Sequence, residues 1–177
     1  AGEYASQFFA SDEFIRRHLE ILNHNPDNKQ IVKKFNDYMV YKTNLNKDFY
    51  ETFILNTVGA IAASSNENSI GRIESGEDYF TYGKKGPYVK DVYRNENTGE
   101  YSMAFAAPIM KKRTKKFLGV LVIRYNANKL NEITTGKRAD IKEDIDTFLR
   151  RGETSEAYIV NKNHRFITNS RFGDNAI

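Results

Sequence analysis

Three histidines, no cysteine and one arginine set in an apolar run are the chemically informative residues of this 177-residue chain. Without cysteine there are no disulfides, thiol nucleophiles or thiolate metal sites. His18 and His24 are six residues apart, poor spacing for one helix face, so no zinc site is expected from them and His164. No serine sits in a Gly-x-Ser-x-Gly elbow, and no glycine loop of the phosphate-cradling type occurs. Carboxylates are plentiful, but no pair stands out as acid and base. Neither catalysis nor a cofactor is therefore expected. The chemistry that remains is binding. Arg124 follows Leu118-Gly119-Val120-Leu121-Val122-Ile123, and a guanidinium there needs a partner because an unpaired buried charge is costly. The partner is either an internal acid, with Glu77 and Asp91 the candidates, or the carboxylate or phosphate of a ligand held by the planar fork.

Charge narrows the partners. The chain carries 27 basic and 23 acidic residues, a net +4. The densest basic run, Lys111-Lys112-Arg113-Thr114-Lys115-Lys116, lies between two apolar runs and is expected at a solvated hairpin tip. Nucleic-acid binding needs aromatics interleaved with the cations, and this run has a single Phe at its edge. Hydrophobic residues make up 40% of the chain, enough for a core. There is no signal-peptide pattern and no apolar run long enough to span a bilayer. The helical start and strand-like end suggest a piece of a longer protein.

These residues must be positioned by recognisable elements. Residues 4–23 have helical periodicity, and Asn25-Pro26-Asp27-Asn28 ends it. Phe8, Ile15 and Leu22 repeat every seven residues, which suggests a parallel dimer seam. A second helix is predicted over 29–42, with Ile31, Phe35 and Tyr38 on one face. Strands are predicted over 49–55 and 60–64, a polar loop over 65–76, and a short helix over 77–82. Further strands follow at 88–93, 101–110 and 117–125, the last apolar on both faces and so central. In the strand over 101–110, Tyr101, Met103, Phe105, Ala107 and Ile109 share a face. Short helices over 127–134 and 140–150 flank a linker at 136–138, and a hairpin is expected over 157–168. The order predicts an α+β domain, helices on one side of a five-stranded antiparallel sheet.

Residues 49–133 resemble a Cache (PDC) sensor domain, a PAS-like fold found outside the membrane in histidine kinases, chemoreceptors and diguanylate cyclases. Phe53-Ile54-Leu55-Asn56-Thr57-Val58-Gly59-Ala60-Ile61-Ala62-Ala63-Ser64 is similar to the opening hairpin. Ile70-Gly71 with Glu74-Ser75-Gly76-Glu77-Asp78-Tyr79-Phe80 is similar to the pocket-lid helix. Tyr88-Val89-Lys90-Asp91-Val92-Tyr93 with Asn97-Thr98-Gly99, then Ala107-Pro108-Ile109 and Gly119-Val120-Leu121, resemble the last three strands. Residues 152–161 and 166–172 are similar to the start of a membrane-proximal second lobe. The implied domains are a helical segment over 1–48, a membrane-distal ligand-binding lobe over 49–135, and a linker with a truncated second lobe over 136–177.

The resemblance implies extracytoplasmic sensing of a small molecule by a membrane receptor, most simply a histidine kinase, anchored by segments outside this chain and dimeric through its N-terminal helices. The alternatives are a chemoreceptor or diguanylate cyclase sensor, or a ligand-free dimerisation module. In such domains the ligand lies between lid helix and sheet, and the implied lining is Glu77, Tyr79, Phe80, Tyr82, Tyr88, Asp91, Tyr93 and Arg124. Members that bind amino acids carry arginine in the lid, two residues before the first aromatic, and aspartate on the last strand. Here those positions hold Glu77 and Arg124, with Asn95 at the place of a further acid. The reversal departs from the amino-acid site, and Arg124 as an anchor implies a carboxylate or other anionic metabolite.

Overall fold

The computed structural model describes residues 2–95 and 99–128, and beyond them positions 159, 160, 164 and 166. Three helices open the chain: α1 Gly2–Ala10, α2 Glu13–His24 and α3 Lys29–Asn44. Strands β1 Phe49–Leu55 and β2 Ile61–Ser64 follow, then a 3-10 turn at Glu67–Ser69 and the short helix α4 Asp78–Thr81. Strands β3 Tyr88–Arg94, β4 Tyr101–Met110 and β5 Phe117–Asn126 complete the described elements. The strands form one sheet in the order β2-β1-β5-β4-β3, with β1 antiparallel to both its neighbours. The expected α+β architecture is thus observed, with β5 central.

One helix expected over 4–23 is two. Asp12 has an extended backbone (φ −66°, ψ 129°), and its carboxylate accepts the Phe14 N–H at 2.9 Å as the N-cap of α2. Aspartate caps helices because its oxygen satisfies an amide that has no partner one turn earlier. Ser11 Oγ donates to Phe8 O at 2.7 Å, closing α1. The other Asp12 oxygen accepts the Tyr38 hydroxyl at 2.6 Å and pairs with Lys42 Nζ at 2.9 Å. Burial alone would raise the Asp12 pKa, but the hydrogen bonds from Tyr38 and Lys42 outweigh it and hold the carboxyl below its ordinary value. The break between α1 and α2 is therefore tied to α3.

Ile15, Leu19 and Leu22 form one stripe at helical spacing. They are buried with Phe35 and Met39 of α3 against Ile54, Ala107, Ile109, Leu121 and Ile123 of the sheet. This overturns the expected dimer seam. Ile15 is fully buried and Leu22 nearly so within the chain's own core, and of the three only Phe8 is exposed. The seven-residue repeat records packing on the sheet, since i, i+4 and i+7 fall on the same face as i and i+7.

Both faces of β4 are buried near its middle. Ala107 and Ile109 join the helix-side core, and the alternate residues Ser102, Ala104 and Ala106 are buried as well. The basic run forms the expected hairpin tip, with Lys112 to Lys116 exposed and Lys111 paired to Glu20 of α2. Among the described residues no helix is long and apolar enough to cross a membrane.

Contacts divide the chain into two units, residues 1–90 with 104–125 and residues 91–103 with 126–177. In the second, Tyr101, Met103 and Ile159 pack on Val92 and Ala127. Val160 and Phe166 form an antiparallel bridge at the position of the expected last hairpin. The helices expected over 127–134 and 140–150 and the linker at 136–138 lie outside the described residues, apart from positions 127 and 128.

Candidate functional site

The face of the sheet opposite the helices carries the site, built within the first unit. Antiparallel register sets Glu51 beside Arg124, Phe53 beside Val122 and Leu55 beside Val120, and residues directly opposite share a face. Arg124 therefore lies on the face of Val120 and Val122, as strand alternation predicts. Its guanidinium carbon is 4.5 Å from the Phe53 ring centroid, a cation–π contact. Nη1 donates to Glu51 Oε2 at 2.6 Å, and Glu51 Oε1 accepts the Ser64 hydroxyl at 2.9 Å. Nη2 donates to Glu74 Oε2 at 3.0 Å and to the Tyr79 hydroxyl at 2.9 Å. The Tyr79 hydroxyl in turn donates to Glu74. Arg124 and Glu51 are each 2% exposed and Tyr79 is fully buried.

Sheet and lid thus meet on one guanidinium. Glu51 comes from β1 and Arg124 from β5, whereas Glu74 and Tyr79 come from the loop and helix that cover them. The loop is pinned at its start. Glu74 N–H donates to Gly59 O at 2.8 Å, and Gly59 has φ +83° with Ser75 Cα only 2.7 Å from where a Cβ would sit. Only glycine fits both the left-handed backbone and that approach. At the far end of the lid, a Cβ on Gly83 would meet Tyr79 O at 2.0 Å and Ala106 Cβ at 2.9 Å. The small residues of β4 let the lid come this close.

A second ion pair joins lid and sheet. Glu77 at the start of α4 binds Lys90 of β3. Lys90 Nζ lies 5.3 Å from the Tyr79 ring centroid and Arg124 Cζ 5.7 Å from it. Tyr79 therefore sits beside two cations, each bonded to a lid carboxylate. Glu74 also faces Arg72, whose Nη2 lies 3.5 Å from Oε1 and donates to Ser69 Oγ at 2.9 Å. Arg72 Nε is buried without a hydrogen-bond partner. Burial pushes the Glu74 carboxyl above its ordinary pKa despite Arg124 and Arg72, with Glu77 and Glu51 adding to the rise.

Of the expected lining residues, Tyr79 and Arg124 are hydrogen-bonded to each other, and Glu77 joins Tyr79 through Lys90. Phe80 is buried, with Lys84 Nζ 5.2 Å from its ring centroid. Tyr82 is about half exposed (48%) and packs on Tyr88 with centroids 5.0 Å apart. Asp91 and Tyr93 are half-buried on β3 in the second unit, and the Asp91 carboxylate accepts its neighbour's Val92 N–H at 2.8 Å. Glu51 and Glu74 were not foreseen as partners of Arg124. Glu51 had a signal, being the one charge in the β-rich run Phe49–Leu55. Glu74 belongs to the lid motif, three residues before Glu77. Among the described residues no group of three or more His, Cys, Asp or Glu could hold a metal. His18 and His24 each donate through Nδ1 to a carbonyl one turn back, at 2.8 and 2.7 Å.

No family model and no curated protein matches the chain. Solved structures do. The Vibrio cholerae histidine kinase DctB sensor domain superposes with a TM-score of 0.60 at 21% identity, over 70% of this chain and 48% of that one. The Campylobacter jejuni chemoreceptor Tlp3 ligand-binding domain, solved with 4-methylisoleucine, gives 0.56 at 10% identity over 94% and 64%. The Escherichia coli DcuS sensor domain gives 0.53 at 16% identity over 72% and 87%. The chain spans about half the length of the DctB domain it matches. With helices on a five-stranded sheet in the β2-β1-β5-β4-β3 order, the chain has the fold of the Cache-type sensor domains of histidine kinases and chemoreceptors.

Proposed function

We propose that this chain is the extracytoplasmic sensing part of a membrane receptor, a histidine kinase, and that it binds a small anionic molecule, a carboxylate foremost, at Arg124. The observation that carries the reading is the placement of Arg124. A buried guanidinium on the central strand holds the lid through Glu74 and Tyr79, so whatever replaces those bonds moves the lid. Residues 49–135 form the membrane-distal binding lobe on this reading, and residues 136–177 open a second lobe nearer the membrane. Signalling is a population shift: a ligand that binds the rearranged lid better than the closed one changes their ratio by its differential affinity.

A second reading is supported by the same contacts. All the named acids around Arg124 already pair with cations, which suits a ligand-free module that only associates with itself. Thermal unfolding against a set of small carboxylates, phosphates and amino acids separates the two, because a ligand that binds only the folded state raises Tm. A hit whose shift is lost in Tyr79→Phe, which removes one polar partner and keeps the ring, supports the sensor. No shift with any compound, beside self-association on light scattering, supports the module.

A further inference from the structure

We propose that Glu74 is a tethered internal occupant of the anion subsite, bound to Arg124 and Tyr79 where a ligand carboxylate binds, and that Arg72 receives it when a ligand displaces it. This rests on Arg124 being the ligand anchor. The Glu74 carboxylate accepts from Arg124 Nη2 and from the Tyr79 hydroxyl through a single oxygen, Oε2. Those are the two donors that a foreign carboxylate needs at this site. The opposite edge of the guanidinium is committed differently. Nη1 is bonded to Glu51, which comes from the same sheet and is fixed further by Ser64. The two acids on Arg124 are therefore held by different elements. One is a strand residue on a paired register, and the other sits on a loop that enters the lid.

Arg72 completes the arrangement. It stands 3.5 Å from Glu74 Oε1, beyond a close hydrogen bond, and its Nε is buried without a partner. A buried guanidinium nitrogen left unbonded is an uncommon cost, and a carboxylate turned from Arg124 toward Arg72 would remove it. Displacement of Glu74 thus exchanges one arginine for another and does not leave a bare buried acid. Burial, the first cause of its raised pKa, disfavours the ionised form of Glu74 where it sits. Glu74 consequently sets a threshold. Only an anion able to outcompete a tethered carboxylate gains Arg124, and neutral molecules gain nothing.

Sodium acetate is the probe, compared with sodium chloride at equal ionic strength, in thermal unfolding of the wild type, Glu74→Ala, Glu74→Gln and the surface control Glu67→Ala. Removing a tethered competitor should lower the half-saturating acetate concentration by about tenfold or more in Glu74→Ala, with no change in Glu67→Ala. Equal responses of wild type and Glu74→Ala would overturn the internal-occupant proposal while leaving Arg124 as an anchor. No response in Glu74→Ala would overturn it too, and the metabolite screen then decides the sensing function separately. If Glu74→Ala does not fold, Glu74→Gln must show the same direction at smaller size, and its failure to do so overturns the proposal. Arg72→Ala added to Glu74→Ala should leave the acetate response intact. Loss of the response there would put the anion on Arg72 and refute the assignment to Arg124.

Discussion

Arg124→Ala removes the guanidinium and leaves two buried acids, Glu51 at 2% and Glu74 at 8% exposure. Glu51 keeps the Ser64 hydroxyl and Glu74 keeps Tyr79 and, more distantly, Arg72. Breaking a buried pair from one side typically costs about 3–5 kcal/mol, because the survivor is an uncompensated charge. For a domain of this size that corresponds to a fall in Tm of roughly 6 to 20 °C. Replacing the acids as well should recover much of it. Glu51→Gln with Glu74→Gln in the Arg124→Ala background leaves none of the three buried charges of this network, and the triple variant should be more stable than Arg124→Ala. At neutral pH, urea unfolding gives the free energies and thermal unfolding followed by circular dichroism gives the Tm values. Arg124→Lys should fall between wild type and alanine, since lysine keeps the charge and loses the fork. An Arg124→Ala protein within about 1 kcal/mol of wild type, below the range for any buried pair, would refute the claim that this network joins lid to sheet.

Four further outcomes are expected. Gly83→Ala should destabilise by about 1–3 kcal/mol, read by urea unfolding, because its Cβ would lie 2.0 Å from Tyr79 O. Ile15→Asp should unfold the isolated chain and not merely block association, losing at least about 3 kcal/mol from a fully buried site. Asp12→Ala should cost more than a lost cap of about 1 kcal/mol, since Lys42 and Tyr38 lose their acid; its deficit should shrink as pH falls through the lowered pKa of Asp12, where the wild type loses the same interactions. For Glu74 the sign is opposite: its pKa is raised in the fold, so its contribution is fully present below the ordinary value of a glutamate and is lost as pH rises through the folded one. The stability of wild type relative to Glu74→Gln should therefore decline from mildly acid toward neutral pH.

Much of the fold was legible because the strands are runs rich in β-forming and apolar residues bounded by strong turn residues. β1 and β4 begin and end where their patterns do, and Asn56 to Gly59 makes the expected turn. The break at Asp12 was hidden because the apolar stripe runs through it, and a cap is visible only once its oxygen is seen to face an amide. The dimer seam failed for a related reason, since a seven-residue spacing is common to coiled coils and to helices lying on a sheet. In the site, Arg124 was legible from its apolar neighbours and Tyr79 from the lid motif. Their acids were not, because Glu51 meets Arg124 through strand register and Glu74 through a loop bound to Gly59, both long-range facts. Alternation along one strand says which face a residue takes and nothing about what comes down onto that face.

The joint between α1 and α2 has a mechanical consequence. A continuous helix passes an axial push along its length as a stiff rod, whereas a helix interrupted by an extended residue bends at that point before it pushes. Here the bend is braced sideways, for Asp12 is held by Tyr38 and Lys42, and Lys42 Nζ also lies 4.6 Å from the Phe9 ring centroid. A load applied to α1 is therefore shared at residue 12 between α2 and the C-terminal half of α3. From there it reaches β1, which follows α3 after a few residues and carries Glu51. A direct path bypasses α3, because Phe9 of α1 packs edge-on against Phe49 of β1, which packs on Tyr125 beside the arginine.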